Sequence, residues 1–275
     1  MKRILTAVIL IPAVLCLVFL APYWVFVLVT AAIAALAGWE CMGLAKHAGF
    51  QAPRIAVTIA IVALFAGAYR YPDRAAIVFG LLSLLLLVYC TFSRTPERVL
   101  GDATASVFCL FYAGSTLLAL PALREEASGP SVVAFLLFVV WAGDIAALYI
   151  GRYFGRRKLA PAISPQKTWA GSAASLVASV IVAGGLLGAA HVLETKWNSA
   201  VLSYPDETWY WLVLAVIVNI AAQVGDLAES ALKRSAGVKD SGILLPGHGG
   251  ILDRIDALLI AAPVLLYAQV IRQMF

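Results

Sequence analysis

Charge is what this sequence has least of. Asp, Glu, Lys and Arg together make up 13% of its 275 residues against 63% apolar ones, and mean hydropathy reaches +0.93. Soluble domains carry about a quarter charged residues, so this composition cannot cover a water-facing surface and the chain belongs in a bilayer. Any CxxC or Cys/His spacing is also missing. Cys16, Cys41, Cys90 and Cys109 all lie inside apolar runs, which argues against zinc and leaves them as small buried residues. Strict alternation of polar and apolar residues is absent, and with it the signature of a membrane β-barrel. There is no internal repeat, low-complexity tract or soluble domain. Residues 1–20 have a basic start and an apolar stretch but no small-x-small cleavage site, and a second apolar run begins at Tyr23, so they read as a retained first span.

What is present is a succession of apolar runs. A helix rising 1.5 Å per residue needs about 20 residues to cross about 30 Å of hydrocarbon. Runs at 4–20, 23–45, 54–70, 75–92, 104–122, 131–151, 170–192, 209–229 and 252–271 predict an all-α, polytopic membrane bundle of about nine transmembrane helices. The third and fourth are short and separated only by Tyr71-Pro72-Asp73-Arg74. Residues 1–130 form an N-terminal set of spans and 131–275 a C-terminal catalytic region. Trp24, Tyr71, Trp197, Tyr204, Trp209 and Trp211 are expected to be interface anchors.

Basic residues are unevenly placed. The N-terminus and the loops after spans two, four, six and eight, together with the first residues of the spans that follow, hold 15 of the 20 Lys and Arg residues, which puts that side in the cytoplasm. Net charge is +5. Because the positive charges sit in short loops beside apolar spans, anionic lipid headgroups and phosphate substrates are the expected partners, and nucleic acid is not. The longest polar intervals, 151–168 and 233–250, both fall on the basic side.

The densest chemistry lies between Gln223 and Asp256, where Asp226, Glu229, Lys233, Arg234, Lys239, Asp240, His248, Asp253, Arg254 and Asp256 crowd into a chain short of charge. Ionisable groups at a membrane are costly, so such a cluster is expected to be functional. Asp226, Glu229, Ser230 and Lys233 follow helical spacing and share one face. The last helix starts after Pro246-Gly247-His248-Gly249-Gly250, and its free N–H groups and positive dipole end suggest an anion site. Asp226 and Asp253 arrive at similar depth on two helices, an arrangement suited to a hard cation such as Mg²⁺. Lys233, Arg234 and Lys239 taken alone are as well explained as solvated topogenic charges. Glu40 fits best as a buried polar residue satisfied by neighbouring helices.

The segment Ser230 to Asp256, S-A-L-K-R-S-A-G-V-K-D-S-G-I-L-L-P-G-H-G-G-I-L-D-R-I-D, resembles the signature of the phosphatidate cytidylyltransferase (CDP-diacylglycerol synthase) family over all 27 positions. Gly225-Asp226 resembles the acidic position before that signature. Asp144 with Tyr149, Gly151-Arg152 and Phe154-Gly155 resembles the preceding span and loop, and Ser164-Pro165-Gln166-Lys167-Thr168-Trp169 the family's Ser-Pro-x-Lys-Thr segment. Ala170 stands where the family commonly has Glu, so either that acid has no catalytic role or another carboxylate, Asp144 or Glu229, substitutes for it; the metal-binding pair is not affected.

The resemblance implies an integral membrane cytidylyltransferase of phospholipid biosynthesis, which converts CTP and phosphatidic acid to CDP-diacylglycerol and pyrophosphate. It implies a catalytic set of Asp226, Asp253, Lys233 and Arg254, and Mg²⁺, with room for a second cation, on Asp226, Asp253, Asp256 and Asp144. Substrate phosphates would meet Ser164, Lys167, Thr168, Arg234, Lys239, His248, Gly249 and Gly250. The implied setting is a multi-pass protein of the bacterial inner membrane among membrane lipids, with its active site facing the cytoplasm; a homodimer is compatible with it. A CDP-alcohol or polyprenyl-phosphate phosphotransferase fits less well, since the D-G-x-x-A-R motif and an adjacent Asp-Asp pair are missing. A transporter would need polar residues spread from face to face. Reporter fusions test the orientation: fusions in the loops around Lys158 and Lys239 should report cytoplasm and one after Phe275 the opposite side, whereas a cytoplasmic signal at Phe275 would mean a miscounted span.

Overall fold

The computed structural model describes residues 2–242 and 249–274, with side chains from residue 10 onward. Hydrocarbon offers no water to unpaired backbone groups, so apolar runs close their hydrogen bonds internally as helices. In chain order these are α1 (Lys2–Phe19), α2 (Tyr23–His47), α3 (Arg54–Arg70), α4 (Ala75–Ser93), α5 (Pro96–Cys109), α6 (Ala119–Glu125), α7 (Gly129–Phe154), α8 (Trp169–Trp197), α9 (Thr208–Ser235) and α10 (Leu252–Met274). A π-helical turn, Leu110–Ser115, and a 3-10 turn, Thr116–Leu118, join α5 to α6. Among the described residues seven helices are long and apolar enough to cross a membrane, and Pro96–Glu125 counts as one of them. The helices α1 and α3 correspond to two further, shorter runs. The chain is a multi-pass, all-α membrane protein.

Two local differences from the sequence expectation have physical causes. The fifth span begins at Pro96 rather than near residue 104, because proline at the first helical position loses no hydrogen bond and the polar residues of that first stretch are accommodated. Asp102, 2% exposed, accepts the Gln51 backbone N–H at 2.8 Å and lies 3.6 Å from Arg94 Nε. The polar interval after α7 contains an antiparallel hairpin, β1 (Lys158–Ala160) and β2 (Ser164–Thr168), with Lys158 opposite Thr168 and Ala160 opposite Ser164.

The chain divides into two compact units. The first comprises Met1–Ala21, Ala122–Ala228 and Ile260–Phe275; the second comprises Pro22–Pro121 and Glu229–Leu259. The boundaries fall between α1 and α2 and inside α6, α9 and α10.

In the first unit α7 and α8 pack along their length, joined to α9 by a buried polar ladder. Asn219 Nδ2 donates to Ser175 Oγ and Ser179 Oγ at 2.8 and 2.9 Å, and Ser179 Oγ–H donates to the Val139 carbonyl at 2.7 Å. Gln223 Nε2 donates to Asn219 Oδ1 at 2.7 Å. Helices in lipid gain little from apolar burial against each other, so small residues and hydrogen bonds decide their contacts. Gly143 is one such residue: a Cβ there would come within 2.5 Å of Asn219 Nδ2 and 2.6 Å of Ser175 Oγ.

Trp211 corrects an expectation. It is 0% exposed, with Phe135 and Tyr204 edge-on to it at ring centroid distances of 5.0 Å. Trp209, two residues earlier and so on a different helical face, is exposed, as are Trp24, Tyr71 and Trp197. Trp211 therefore belongs to the core of this unit and not to an interface belt. In the second unit, α2 and α3 pack on α4, α5 and the π turn around a core that includes Ala37, Ile61, Leu64, Phe65, Leu110 and Leu252. Trp211→Ala should destabilise the protein by about 3–5 kcal/mol, read by unfolding in detergent, whereas Trp209→Ala should change little.

Candidate active site

In the first unit, the end of α7, the hairpin, the start of α8 and two residues of α9 enclose a cavity of about 830 Å³, a size typical of small-molecule sites. Its charged lining is Arg152, Lys158 and Lys167 together with Asp144 and Asp226. Lys167 Nζ lies 2.7 Å from Asp226 Oδ2. One more base than acid, in a pocket cut into a membrane protein, favours a polyanion.

Local sequence explains how this cavity is walled. Thr168 is 4% exposed and caps α8, its Oγ1 accepting the Gly171 N–H at 3.1 Å. A Cβ on Gly155 would lie 2.3 Å from that hydroxyl oxygen, and one on Gly171 would lie 2.9 Å from the Ala147 carbonyl. These glycines let β2 and the start of α8 press against α7. Thr168 thus lines the cavity with its hydroxyl committed to the cap, while Ser164 and Lys167 line it beside Gln166. Ser172 Oγ–H donates to Gln223 Oε1 at 2.5 Å, fixing the residue one helical turn before Asp226.

The second unit gathers a different cluster. Lys233 Nζ stands 2.5 Å from Glu229 Oε2 and 2.7 Å from Asp253 Oδ1. Glu229 is 0% exposed, and its Oε1 has no hydrogen-bond partner among the described residues. Asp253 Oδ2 accepts from the Gly250 N–H at 2.8 Å, the Ser241 N–H at 3.1 Å and the Ser241 hydroxyl at 3.0 Å. Glu40 accepts the N–H groups of Ile251 and Leu252 at 3.1 and 2.8 Å. The expectation of free N–H groups at the start of α10 is therefore corrected: the protein's own carboxylates fill that positive end, as the helix dipole favours. The reading of Glu40 as a buried, satisfied polar residue agrees with its 3% exposure.

The other candidates are spread more widely. Arg234 is exposed, and its Nη1 donates to the Val238 carbonyl at 3.3 Å. Lys239, Asp240 and Arg254 are exposed, and Asp256 accepts the Ala257 N–H at 2.8 Å. Gly249 has φ +81. His248 lies outside the described residues. Arg152, Lys158, Gln166, Ser172 and Gln223 join the cavity without having been singled out as ligands. Their signal was the polar hairpin segment and the polar residues at helical spacing before Asp226.

Among the described residues no group of three Asp, Glu, His or Cys side chains is gathered for a metal. Mg²⁺ asks for less, since it is commonly held by one or two carboxylates with waters and substrate phosphates. Asp144 and Asp226 in the cavity, and Glu229 with its orphaned oxygen beside Lys233, meet that requirement.

The sequence matches the model of the Cytidylyltransferase family over residues 1–271. The chain belongs to that family. Among relatives, a phosphatidate cytidylyltransferase of Haemophilus influenzae is 32% identical, with 97% of each chain covered. One of Pseudomonas aeruginosa is 34% identical over 96% of this chain and 94% of its own. One of Brucella suis is 49% identical over 159 residues, 58% of this chain, so the match spans about half (54%) of that relative's length. The stretch matched by the cytidylyltransferase family contains both the cavity residues and the acid cluster.

The pairing around Lys233 generates a stability prediction. Lys233→Met leaves Glu229 and Asp253 without their cation and should cost about 3–5 kcal/mol. Adding Glu229→Gln should recover part of that loss in a thermal or denaturant unfolding series. Equal stability of Lys233→Met and the parent protein would show that the buried pair contributes nothing.

Proposed function

We propose that this protein makes CDP-diacylglycerol from CTP and phosphatidic acid at the cytoplasmic face of a bacterial inner membrane. The observation that carries the reading is the cavity in which Lys167 and Asp226 stand paired beside Arg152 and Lys158. It belongs to a cytidylyltransferase, and full-length relatives carry the name phosphatidate cytidylyltransferase. The cytoplasmic placement rests on the excess of basic residues in the loops that bear these groups.

In this reaction an oxygen of the phosphatidic acid phosphate attacks the α-phosphorus of CTP. One P–O bond forms, the bond to the β-phosphate bridge breaks, and pyrophosphate leaves with the electron pair. The attacking phosphate is anionic near neutral pH, so alignment and neutralisation of spreading charge do most of the catalysis and no strong base is required. Lys167, Arg152 and Lys158 hold phosphate groups in the cavity, with Ser164 and Gln166 as hydrogen-bonding neighbours. Asp226 and Asp144, and Asp253 with Glu229 and Asp256, are the carboxylates that would hold Mg²⁺ and a second cation. Bound Mg²⁺ would neutralise the triphosphate. Lys233 stands paired with Asp253 and Glu229, while Arg234, Lys239 and Arg254 present exposed positive charge to arriving phosphates.

Purified full-length protein, radiolabelled CTP and phosphatidic acid, with and without Mg²⁺, test the reading. CTP or dCTP should yield the lipid product and ATP should not; comparable product from ATP would sink it. Asp226→Asn and Asp253→Asn should each lower turnover by about 100-fold or more. Asp240→Asn, on an exposed residue, should lose far less.

A further inference from the structure

Glu40 lies on α2, some two hundred residues before the acid cluster, yet its carboxylate sits inside the turn that begins α10. Both oxygens are used. Oε1 accepts from Ile251 N at 3.1 Å, while Oε2 accepts from Leu252 N at 2.8 Å and lies 3.1 Å from Ser241 Oγ. The surrounding backbone is shaped to this group. A Cβ on Gly250 would come 2.2 Å from Glu40 Oε2, and one on Gly242 would come 2.5 Å from Oε1. No side chain larger than hydrogen fits at either position without moving the carboxylate.

Ser241 makes the connection to the acid cluster. Its single hydroxyl proton faces two carboxylates, Glu40 Oε2 at 3.1 Å and Asp253 Oδ2 at 3.0 Å. Asp253 in turn fixes Lys233. A buried carboxylate aimed at a helix N-terminus is stabilised by the dipole and by charge-assisted hydrogen bonds, which are stronger than neutral ones. Were packing its only task, an apolar residue would fill the space on α2 without the cost of burying a charge.

We propose that Glu40 is a positioning residue for the reaction: by holding Ser241 and the first turn of α10, it sets the orientation in which Asp253 and Lys233 meet the phosphates and their cation. This rests on the cytidylyltransferase reading above. Glu40 itself touches no substrate. Its effect passes through Ser241 and Asp253.

The test compares Glu40→Gln with Asp102→Asn in the full-length protein. Asp102 is an equally buried carboxylate of the same unit that holds a loop and Arg94. Glu40→Gln keeps size and one carbonyl oxygen but replaces the other acceptor with a donor that faces donors. Amide exchange at Ile251 and Leu252 should quicken about tenfold or more. In the same protein kcat should fall about 10- to 100-fold and the Mg²⁺ concentration for half-maximal rate should rise, with KM for CTP changed less than threefold. Asp102→Asn should lower thermal stability and leave kcat per folded molecule near the parent value. Ser241→Ala, which removes the shared hydroxyl without altering a charge, should reproduce the kcat and Mg²⁺ effects in milder form and serves if Glu40→Gln does not fold. Unchanged exchange at Ile251 and Leu252, or faster exchange with parental kcat and Mg²⁺ response, would overturn the proposal. So would activity lost only in proportion to folded protein. Failure of the parent enzyme to make CDP-diacylglycerol would instead sink the functional reading, and the exchange measurement would still report on Glu40.

Discussion

An ionised side chain has no stable place in an apolar surrounding unless an opposite charge or well-aimed donors come with it, and the reactive parts of this protein follow from that constraint. Exposed ion pairs contribute little to stability, but breaking a buried one strands a charge at a cost of several kcal/mol. Lys167 with Asp226, Lys233 with Glu229 and Asp253, and Glu40 with the start of α10 each answer the same need. The pairing also constrains the ligand. A bare anion could draw a lysine away only by leaving a carboxylate exposed to its own field. A phosphate chain that brings its counter-cation offers a partner to both members of the pair at once.

Positioning these pairs falls to contacts that apolar burial cannot specify. The ladder from Val139 through Ser179, Asn219 and Gln223 locks one rotational setting of α9 against α7 and α8. A rotation of α9 by one residue would break the bonds of Asn219 to Ser175 and Ser179 and of Gln223 to Ser172, and turn Asp226 away from Lys167. The ladder therefore acts as a register device, the role best attested for buried polar groups. Gly143 is part of it, because the amide and the two hydroxyls occupy the space a side chain would need.

Much of this was legible in the sequence. Long apolar runs translate directly into helices, and the acids and bases crowded between Gln223 and Asp256 marked the stretch from which the structure gathers Glu229, Lys233 and Asp253. Spacing along a helix could place Asp226, Glu229 and Lys233 on one face, but it could not say which partner each would take. Lys167 reaches Asp226 from a hairpin whose short strands, Lys158–Ala160 and Ser164–Thr168, show no alternation long enough to read. Trp211 and Trp209 look alike in sequence, and only the packing against Phe135 and Tyr204 separates core from surface. Glu40 was recognisable as a buried acid. Its partners, two backbone N–H groups far along the chain, leave no trace in residue identity.

The glycines of the signature turn illustrate the same limit from the other side. Read from sequence, Gly249 and Gly250 suggest a backbone left bare so that phosphate can come close. In the structure the close approach is made by the protein's own acids: a Cβ on Gly249 would come 2.7 Å from Asp253 Oδ2, and one on Gly250 or Gly242 would strike Glu40. At Gly249, φ +81 adds a backbone reason for the same choice. The turn is thus wrapped around two carboxylates before any substrate arrives. Glycine there sets where Asp253 and Glu40 stand, and a substitution would act first on the acids and only through them on the phosphates.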